Sequence, residues 1–284
     1  MAQPSSAPLR IEPLTGVLGA EIGGIDISQP LDDHTVAALR AALNENHVLV
    51  FRDQSLTPEQ QLVFGRRFGE LGQHPYVEGN AEHPEILDIV VEPDDRTNFG
   101  GGWHSDVTFL AEPDLGSILY AVELPPVGGD TLFANQHAAY EALSDTMKEL
   151  IDPLVGIHSA KLQFGGRGYS QRSRGMTTRD AEGARESEVE HPVVRTHPET
   201  GRKGLFVNRA FTVGIKGMTR NESAGLLEIL FRQAVAEQFT CRVRWAPGTV
   251  AMWDNRSVQH YAIHDYKGQR RRMRRITIQG DRPY

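Results

Sequence analysis

Cysteine and long apolar runs are almost absent from this sequence of 284 residues. Cys241 is the single cysteine, so disulfides within the chain and metal sites built from several cysteines are excluded. No run of about 18 apolar residues occurs, which argues against a transmembrane helix. Residues 1–10 lack the apolar segment of a signal peptide and are interpreted as a loose leader. These absences predict a cytoplasmic protein.

Positive charge is also in short supply, with 30 Lys and Arg against 37 Asp and Glu and a formal charge of -7. A chain of this sign gains little from a phosphate backbone, so nucleic acid is not expected as a partner. The composition is otherwise that of a globular protein, with 39% hydrophobic residues. No internal repeat or linker divides the chain, which predicts a single domain over 1–284.

Helix signals stand mainly toward the ends of the strand pattern. One helix is predicted at 33–45, and a second begins after Thr57, a favourable N-cap that is followed by Pro58. A third follows the capping box of Thr219 and Glu222.

Strand signals dominate the rest of the chain, as short apolar segments bounded by Gly, Pro, Asn and Asp. The predicted strands are 47–51, a hairpin of 192–197 with 203–208, a second hairpin of 241–245 with 249–255, and a late strand at 271–278. Paired strands with helices outside predict a mainly β fold with flanking helices, a β-sandwich or jelly roll. The polar segment 160–190 lacks periodicity and is interpreted as a flexible insertion or a lid.

A first group of chemically capable residues occurs in GGGWHSD, residues 100–106. On a strand, His104 and Asp106 would point to the same face and could occupy two neighbouring positions around a metal. The simpler interpretation is a structural histidine that is hydrogen-bonded to its neighbour.

A second group occurs in WDNRSVQHYAIHDY, residues 253–266. His260 or His264 would complete a two-histidine, one-carboxylate triad, the usual holder of non-haem Fe(II). A zinc hydrolase uses similar ligands, but no general-base glutamate motif accompanies them. A binding module without catalysis, in which both histidines are structural, is the alternative from another class.

A third group is the arginine run RRRMRR at 270–275. Such a run is commonly a solvated basic patch, but this one continues into a strand pattern in an acidic chain. On a strand, Arg271 and Arg275 share a face and lie about 13 Å apart, which suits two separate anions.

Several ordered motifs give the chain a specific resemblance from about residue 13 to its C-terminus. These motifs are WHSDVTF, PPVGGDTLFAN, HPVVRTHPETGRKGLFVN, MWDNRSVQHYA and QRRRMRRITIQGD. Together they resemble the taurine dioxygenase and phenoxyalkanoate dioxygenase family. The resemblance implies a distorted double-stranded β-helix and a dioxygenase that uses Fe(II), 2-oxoglutarate and O2.

The resemblance also implies a role for individual residues. The iron ligands would be His104, Asp106 and His260, and Thr131 and Arg271 would bind the distal carboxylate of 2-oxoglutarate. The residues expected near the substrate are His74, Tyr76, Asn98, Val107, Phe206 and Arg275. The substrate would be a small organic anion such as a sulfonate, a sulfate ester or a phenoxyalkanoate. A homo-oligomer, dimer or tetramer, is expected.

The chain departs from the taurine pattern near the predicted substrate site. Gly100 stands where the taurine enzyme has an asparagine, and Tyr76 lies one position early. These differences argue against a taurine amine site.

Overall fold

The described part of the protein is mainly β, with helices outside the sheets. The computed structural model describes residues 9–165, 176–177 and 187–284. The strands are β1 Arg10–Pro13, β2 Ala20–Gly23, β3 Val48–Phe51, β4 Leu71–Gly72, β5 Leu87–Val91, β6 Gly116–Glu123, β7 Thr131–Asn135, β8 Val155–Ser159, β9 Glu188–Pro192, β10 Val194–Thr196, β11 Lys203–Leu205, β12 Thr212–Ile215, β13 Thr240–Val243, β14 Val250–Asp254, β15 Val258–Ala262 and β16 Arg271–Ile278. The α-helices are α1 Asp33–Asn46, α2 Pro58–Arg66, α3 Gln136–Glu141, α4 Asp145–Ile151, α5 Lys161–Phe164 and α6 Arg220–Ala234.

Two sheets face each other across one hydrophobic core. The larger sheet has the order β1-β2-β3-β14-β6-β16-β4, with β5 also paired to β16, and the smaller sheet is β13-β7-β15. The rings of Phe133 on β7 and Trp253 on β14 lie 5.5 Å apart between these sheets. Two further sheets have the orders β12-β8-β9 and β10-β11.

In strand β16, successive side chains point to opposite faces of the sheet, and this alternation places two arginines in the core. Met273 packs in the core cluster between the sheets, whereas Ile276 packs in the cluster beneath α1 and α2. Arg275 lies on the side of Met273, and Arg274 points the other way and donates to Gln61 of α2 at 2.6 Å. This alternation brings Arg271 and Arg275 into the space between the sheets.

Several sequence predictions are confirmed by these elements. The mainly β class, α1, the Thr57-capped α2 and the hairpin of β10 with β11 all occur. Helix α6 has its predicted capping box of Thr219 and Glu222, and β16 has the predicted bounds.

The predicted hairpin of 241–245 with 249–255 is wrong. Strand β13 pairs with β7 in the smaller sheet, whereas β14 pairs with β3 and β6 in the larger one. The intervening turn, closed by the hydrogen bond from Thr249 N to Ala246 O, therefore connects two sheets. Helices α3 and α4 were not predicted, although their N-caps Asn135 and Ser144 are typical cap residues.

Regular elements occur at the described edges of the predicted leader and of the polar segment. Residues 1–8, 166–175 and 178–186 lie outside the described residues, and so does most of the expected lid. The ends of 160–190 are regular, because 161–164 form α5 and β9 starts at Glu188. Arg10 already belongs to β1. Among the described residues, no helix has the length and apolar character needed to cross a bilayer.

Candidate metal centre and substrate cavity

Two histidines distant in sequence are joined through their backbones. His104 N donates to His260 O at 3.1 Å, and His260 N donates to His104 O at 2.7 Å. His260 lies on β15, but His104 forms only this isolated bridge and a turn begins at Asp106. The predicted strand through His104 and Asp106 is therefore wrong, and the turn brings the carboxylate to the imidazoles.

The side chains of these three residues converge. His104 Nε2 lies 3.7 Å from Asp106 Oδ1, and His260 Nε2 lies 3.8 Å from the same oxygen. All three side chains are buried, and one potential ligand atom from each lies within 4.8 Å of the others. His264 instead packs its ring on Tyr266 at 5.1 Å. Of the two histidines that the residue pattern left open, His260 is the one that converges.

The protonation states in this cluster suit a divalent metal. Burial lowers the pKa of both His104 and His260, because a charged imidazole loses its hydration there. Burial would raise the pKa of Asp106, but the charge of Arg275, above the other neighbouring groups, holds this pKa well below its usual range. Two neutral imidazoles and one carboxylate form the donor set of non-haem Fe(II), so these residues fit that metal.

The Asp106 carboxylate is oriented by buried neighbours. Ser117 Oγ donates to Oδ2 at 2.8 Å, and Asn255 Nδ2 lies 3.4 Å from the same atom. Oδ1 therefore faces the histidines, and it also accepts a hydrogen bond from Arg275 Nη1 at 2.9 Å. Sequence reasoning missed Ser117 and Asn255, and the only signal for Asn255 was its place in the MWDNR motif.

Arg271 provides a buried positive charge near Thr131. Its Nη2 donates to Gly129 O at 3.1 Å, and within the described residues the guanidinium makes no ion pair. Its guanidinium carbon lies 5.9 Å from the ring centre of Trp245, whose Nε1 donates to Thr131 Oγ1 at 3.0 Å. The nearest acidic side chain, Asp130, is paired with Arg242 instead. A buried cation without an ion-pair partner favours binding of an anion, so these residues fit the distal carboxylate of 2-oxoglutarate.

A cavity of about 620 Å³, counting its open mouth, adjoins the triad. His104 and Asp106 form part of its wall. The remaining wall is largely apolar and consists of Phe99, Gly100, Gly101, Gly102, Val107, Phe164, Ala210 and Phe211, together with His74 and Gln163. Such a cavity accommodates an apolar substrate beside the metal ligands.

Three of the six predicted substrate residues lie at this cavity or next to it. His74 and Val107 line it. His74 also lines a small neighbouring cavity with Arg275. His74 Nδ1 accepts from Tyr76 N at 3.1 Å, so the proton of the neutral ring is on Nε2. An Nε2–H donor and a guanidinium are suited to an anionic group.

The other three are not among the lining residues. Tyr76 stacks on Phe109 with ring centres 5.3 Å apart, and Asn98 donates to a backbone carbonyl of β15 at 2.8 Å. Phe206 packs against the guanidinium of Arg195 at 5.2 Å. These contacts support the walls from behind.

Comparison with known proteins extends the likeness over nearly the whole chain. The family described as "Taurine catabolism dioxygenase TauD, TfdA family" matches residues 10–277. An alkylsulfatase of Acinetobacter baylyi is 38% identical over 96% of this chain and 86% of its own length. An alpha-ketoglutarate-dependent sulfate ester dioxygenase of Pseudomonas putida is 37% identical over 99% and 92%. The crystal structure of a taurine dioxygenase from Burkholderia xenovorans superimposes with a TM-score of 0.81, at 37% identity over 97% of this chain and 90% of that one.

These findings confirm the predicted resemblance and the jelly-roll fold class. The predicted dioxygenase that uses Fe(II), 2-oxoglutarate and O2 is also confirmed, which sets aside the zinc hydrolase and the binding module. The chain belongs to the TauD, TfdA family of α-ketoglutarate-dependent dioxygenases.

Proposed function

We propose that this dioxygenase hydroxylates a small organic anion with an apolar chain, and that it prefers an alkyl sulfate ester to taurine. The observation that carries the proposal is the largely apolar wall beside the triad, where Phe99, Phe164 and Phe211 pack well against an alkyl chain but offer no carboxylate to an ammonium group. An ammonium group would exchange its hydration there for weaker contacts with ring faces. Relatives that act on sulfate esters support the same preference.

The roles of the individual residues follow from their contacts. His104, Asp106 and His260 would hold iron, which together with 2-oxoglutarate and O2 supplies the oxidising power. Arg271 and Thr131 would bind the distal carboxylate of 2-oxoglutarate. The apolar wall excludes water and orients the substrate chain. Hydroxylation of the carbon that bears the ester oxygen gives an adduct that collapses to an aldehyde and hydrogen sulfate, while 2-oxoglutarate becomes succinate and CO2.

The substrate preference is tested with alkyl sulfates of increasing length, alkylsulfonates, phenoxyacetate and taurine, by measuring succinate formation. Each methylene that enters the apolar cavity contributes about 0.8 kcal/mol. We therefore expect kcat/KM to rise about fourfold per added methylene until the cavity is filled. A higher kcat/KM for taurine than for every alkyl sulfate would contradict the proposal.

His74 and Arg275 are proposed to bind the anionic group of the substrate. We expect Arg275→Lys to raise the KM for the organic anion about tenfold or more, because the planar two-pronged donor is lost. The Kd for 2-oxoglutarate should change much less. Because Arg275 also contacts Asp106, metal affinity is measured in the same variant to separate the two effects.

Arg274→Lys is the matched control, since Arg274 is buried on the opposite face of β16 and binds Gln61 and Leu56 O. This variant should lower the stability of the protein without changing the KM for the organic anion or the Kd for 2-oxoglutarate. Equal losses for the substrate and 2-oxoglutarate in Arg275→Lys would indicate one shared anion site.

The remaining proposals concern the whole protein. We propose that residues 1–284 act as one domain in the cytoplasm, in keeping with a single buried cysteine. A homo-oligomer, dimer or tetramer, is also proposed, and the exposed Ile229 on α6 is a candidate contact. Light scattering on the purified protein measures the assembly directly.

A further inference from the structure

The turn that follows the metal ligand Asp106 has a strained backbone. Val107 has φ of 45°, a conformation that β-branched residues rarely adopt. Its side chain is buried and lines the substrate cavity, and its carbonyl accepts a hydrogen bond from Leu110 N at 2.9 Å. Such a conformation persists only where neighbouring contacts enforce it.

Thr108, the next residue, is the point at which this turn is anchored. Asn208 Nδ2 donates to Thr108 Oγ1 at 3.1 Å, and His158 Nδ1 lies 3.0 Å from the same oxygen. All three side chains are buried. Burial above all, and then the charge of His191, lowers the pKa of His158 to about 3, so the network is uncharged at neutral pH.

Asn208 also fixes the facing part of the cavity wall. Its Oδ1 accepts from Phe211 N at 3.0 Å, and its backbone N donates to Thr212 Oγ1 at 2.9 Å. Ala210 and Phe211, in this same loop, line the cavity. One buried amide side chain therefore connects the metal-ligand turn to the wall against which a substrate would lie.

We infer that Thr108 and Asn208 are positioning residues that fix the substrate wall relative to the metal-ligand turn. When a substrate carbon is misplaced, 2-oxoglutarate is still oxidised to succinate and CO2, and the second oxygen atom of O2 is then reduced to water by two electrons from an added reductant such as ascorbate. This spacing therefore determines the fraction of turnovers that oxidise substrate. The inference rests on the proposed function, and it assigns to the Asn208–Thr108 contact the coupling of the two half-reactions.

The test is the ratio of aldehyde product to succinate in Thr108→Val, a variant of nearly the same shape without the hydroxyl. We expect this ratio to fall about twofold or more and the substrate KM to rise, because small misplacements at a reacting centre have large effects. Mn(II) affinity, measured by titration without turnover, should stay within about twofold, since the three ligands keep their own contacts. Thr108→Ser, which restores the hydroxyl, should restore the ratio.

A second variant covers the case in which Thr108→Val leaves Asn208 unpaired and fails to fold. Thr108→Val combined with Asn208→Leu removes both groups of the Asn208–Thr108 hydrogen bond, so the Asn208 amide is no longer left buried without its acceptor. Phe211 N also loses Asn208 Oδ1, which removes the second contact of the same positioning network. The double variant should show the same reduced ratio. Ser223→Ala is the matched control. Ser223 lies on α6 outside the cavity lining, is buried, and accepts a hydrogen bond from Ile215 N at 3.1 Å through its Oγ.

Several outcomes would overturn the inference. They are an unchanged ratio in folded Thr108→Val and in the double variant, an equal loss in Ser223→Ala, or no rescue by Thr108→Ser. If wild-type enzyme produced no succinate with any substrate of the panel, the proposed function would fail and this inference with it. If the wild-type enzyme oxidised a substrate and the variants gave the same ratio of aldehyde to succinate, the inference alone would be wrong and the proposed function would stand.

Discussion

His260→Ala is expected to abolish 2-oxoglutarate turnover, whereas His264→Ala should retain it. His260 Nε2 lies 3.8 Å from Asp106 Oδ1 in the buried cluster, while His264 packs on Tyr266. Loss of an outer hydrogen-bond partner of a metal ligand typically costs about 10- to 100-fold in affinity or activity. Loss of a ligand itself should cost more. Succinate release measures turnover, and Mn(II) titration measures the site without turnover.

Reconstitution with different metals distinguishes iron from zinc. Chelator-treated wild-type enzyme should regain activity with Fe(II) and not with Zn(II), because zinc has no redox chemistry. Asp106→Ala and His104→Ala should behave as His260→Ala does, with folding confirmed by circular dichroism. Full activity in His260→Ala together with loss of activity in His264→Ala would show that His264, and not His260, is the third metal ligand.

Local signals in the sequence identified the elements that depend on local chemistry. The N-cap at Thr57 with Pro58 and the capping box at Thr219 predicted two helix starts correctly, and alternation predicted β16. The hairpin of 241–245 with 249–255 failed because turn residues do not reveal which sheet each strand joins. That choice depends on β7, β3 and β6, which are distant in sequence.

The candidate site shows the same division. The resemblance supplied the three iron ligands, but no spacing rule indicated that a single bridge at His104, rather than a strand, brings them together. Phe206 was a reasonable aromatic to expect in the cavity, and its packing on Arg195 depends on tertiary contacts. Ser117 could not be identified at all, because its bond to Asp106 spans two elements.

Arg271→Ala is expected to raise the Kd for 2-oxoglutarate by about 10- to 150-fold. The variant removes a buried charged partner, and a hydrogen bond to a charged group contributes about 1.5–3 kcal/mol. The guanidinium suits this role because, within the described residues, it makes no ion pair and its contacts are to neutral groups, namely Gly129 O and the rings of Trp245 and Tyr266. Thr131→Val removes one neutral partner and should have a smaller effect. Equilibrium binding of 2-oxoglutarate to the Mn(II)-loaded enzyme measures both.

Arg270→Ala is the matched control for this prediction. Arg270 is the adjacent residue but forms ion pairs with Glu92 and Glu123, so its charge is already balanced. Arg272 is likewise paired with Asp88. Both replacements should leave the Kd for 2-oxoglutarate within about twofold, because neither side chain lies in the space between the sheets. Unchanged binding in Arg271→Ala with a large loss in Arg270→Ala or Arg272→Ala would mean that the opposite face of β16 carries the cosubstrate site, and the proposed roles of Arg271 and Thr131 would both be wrong.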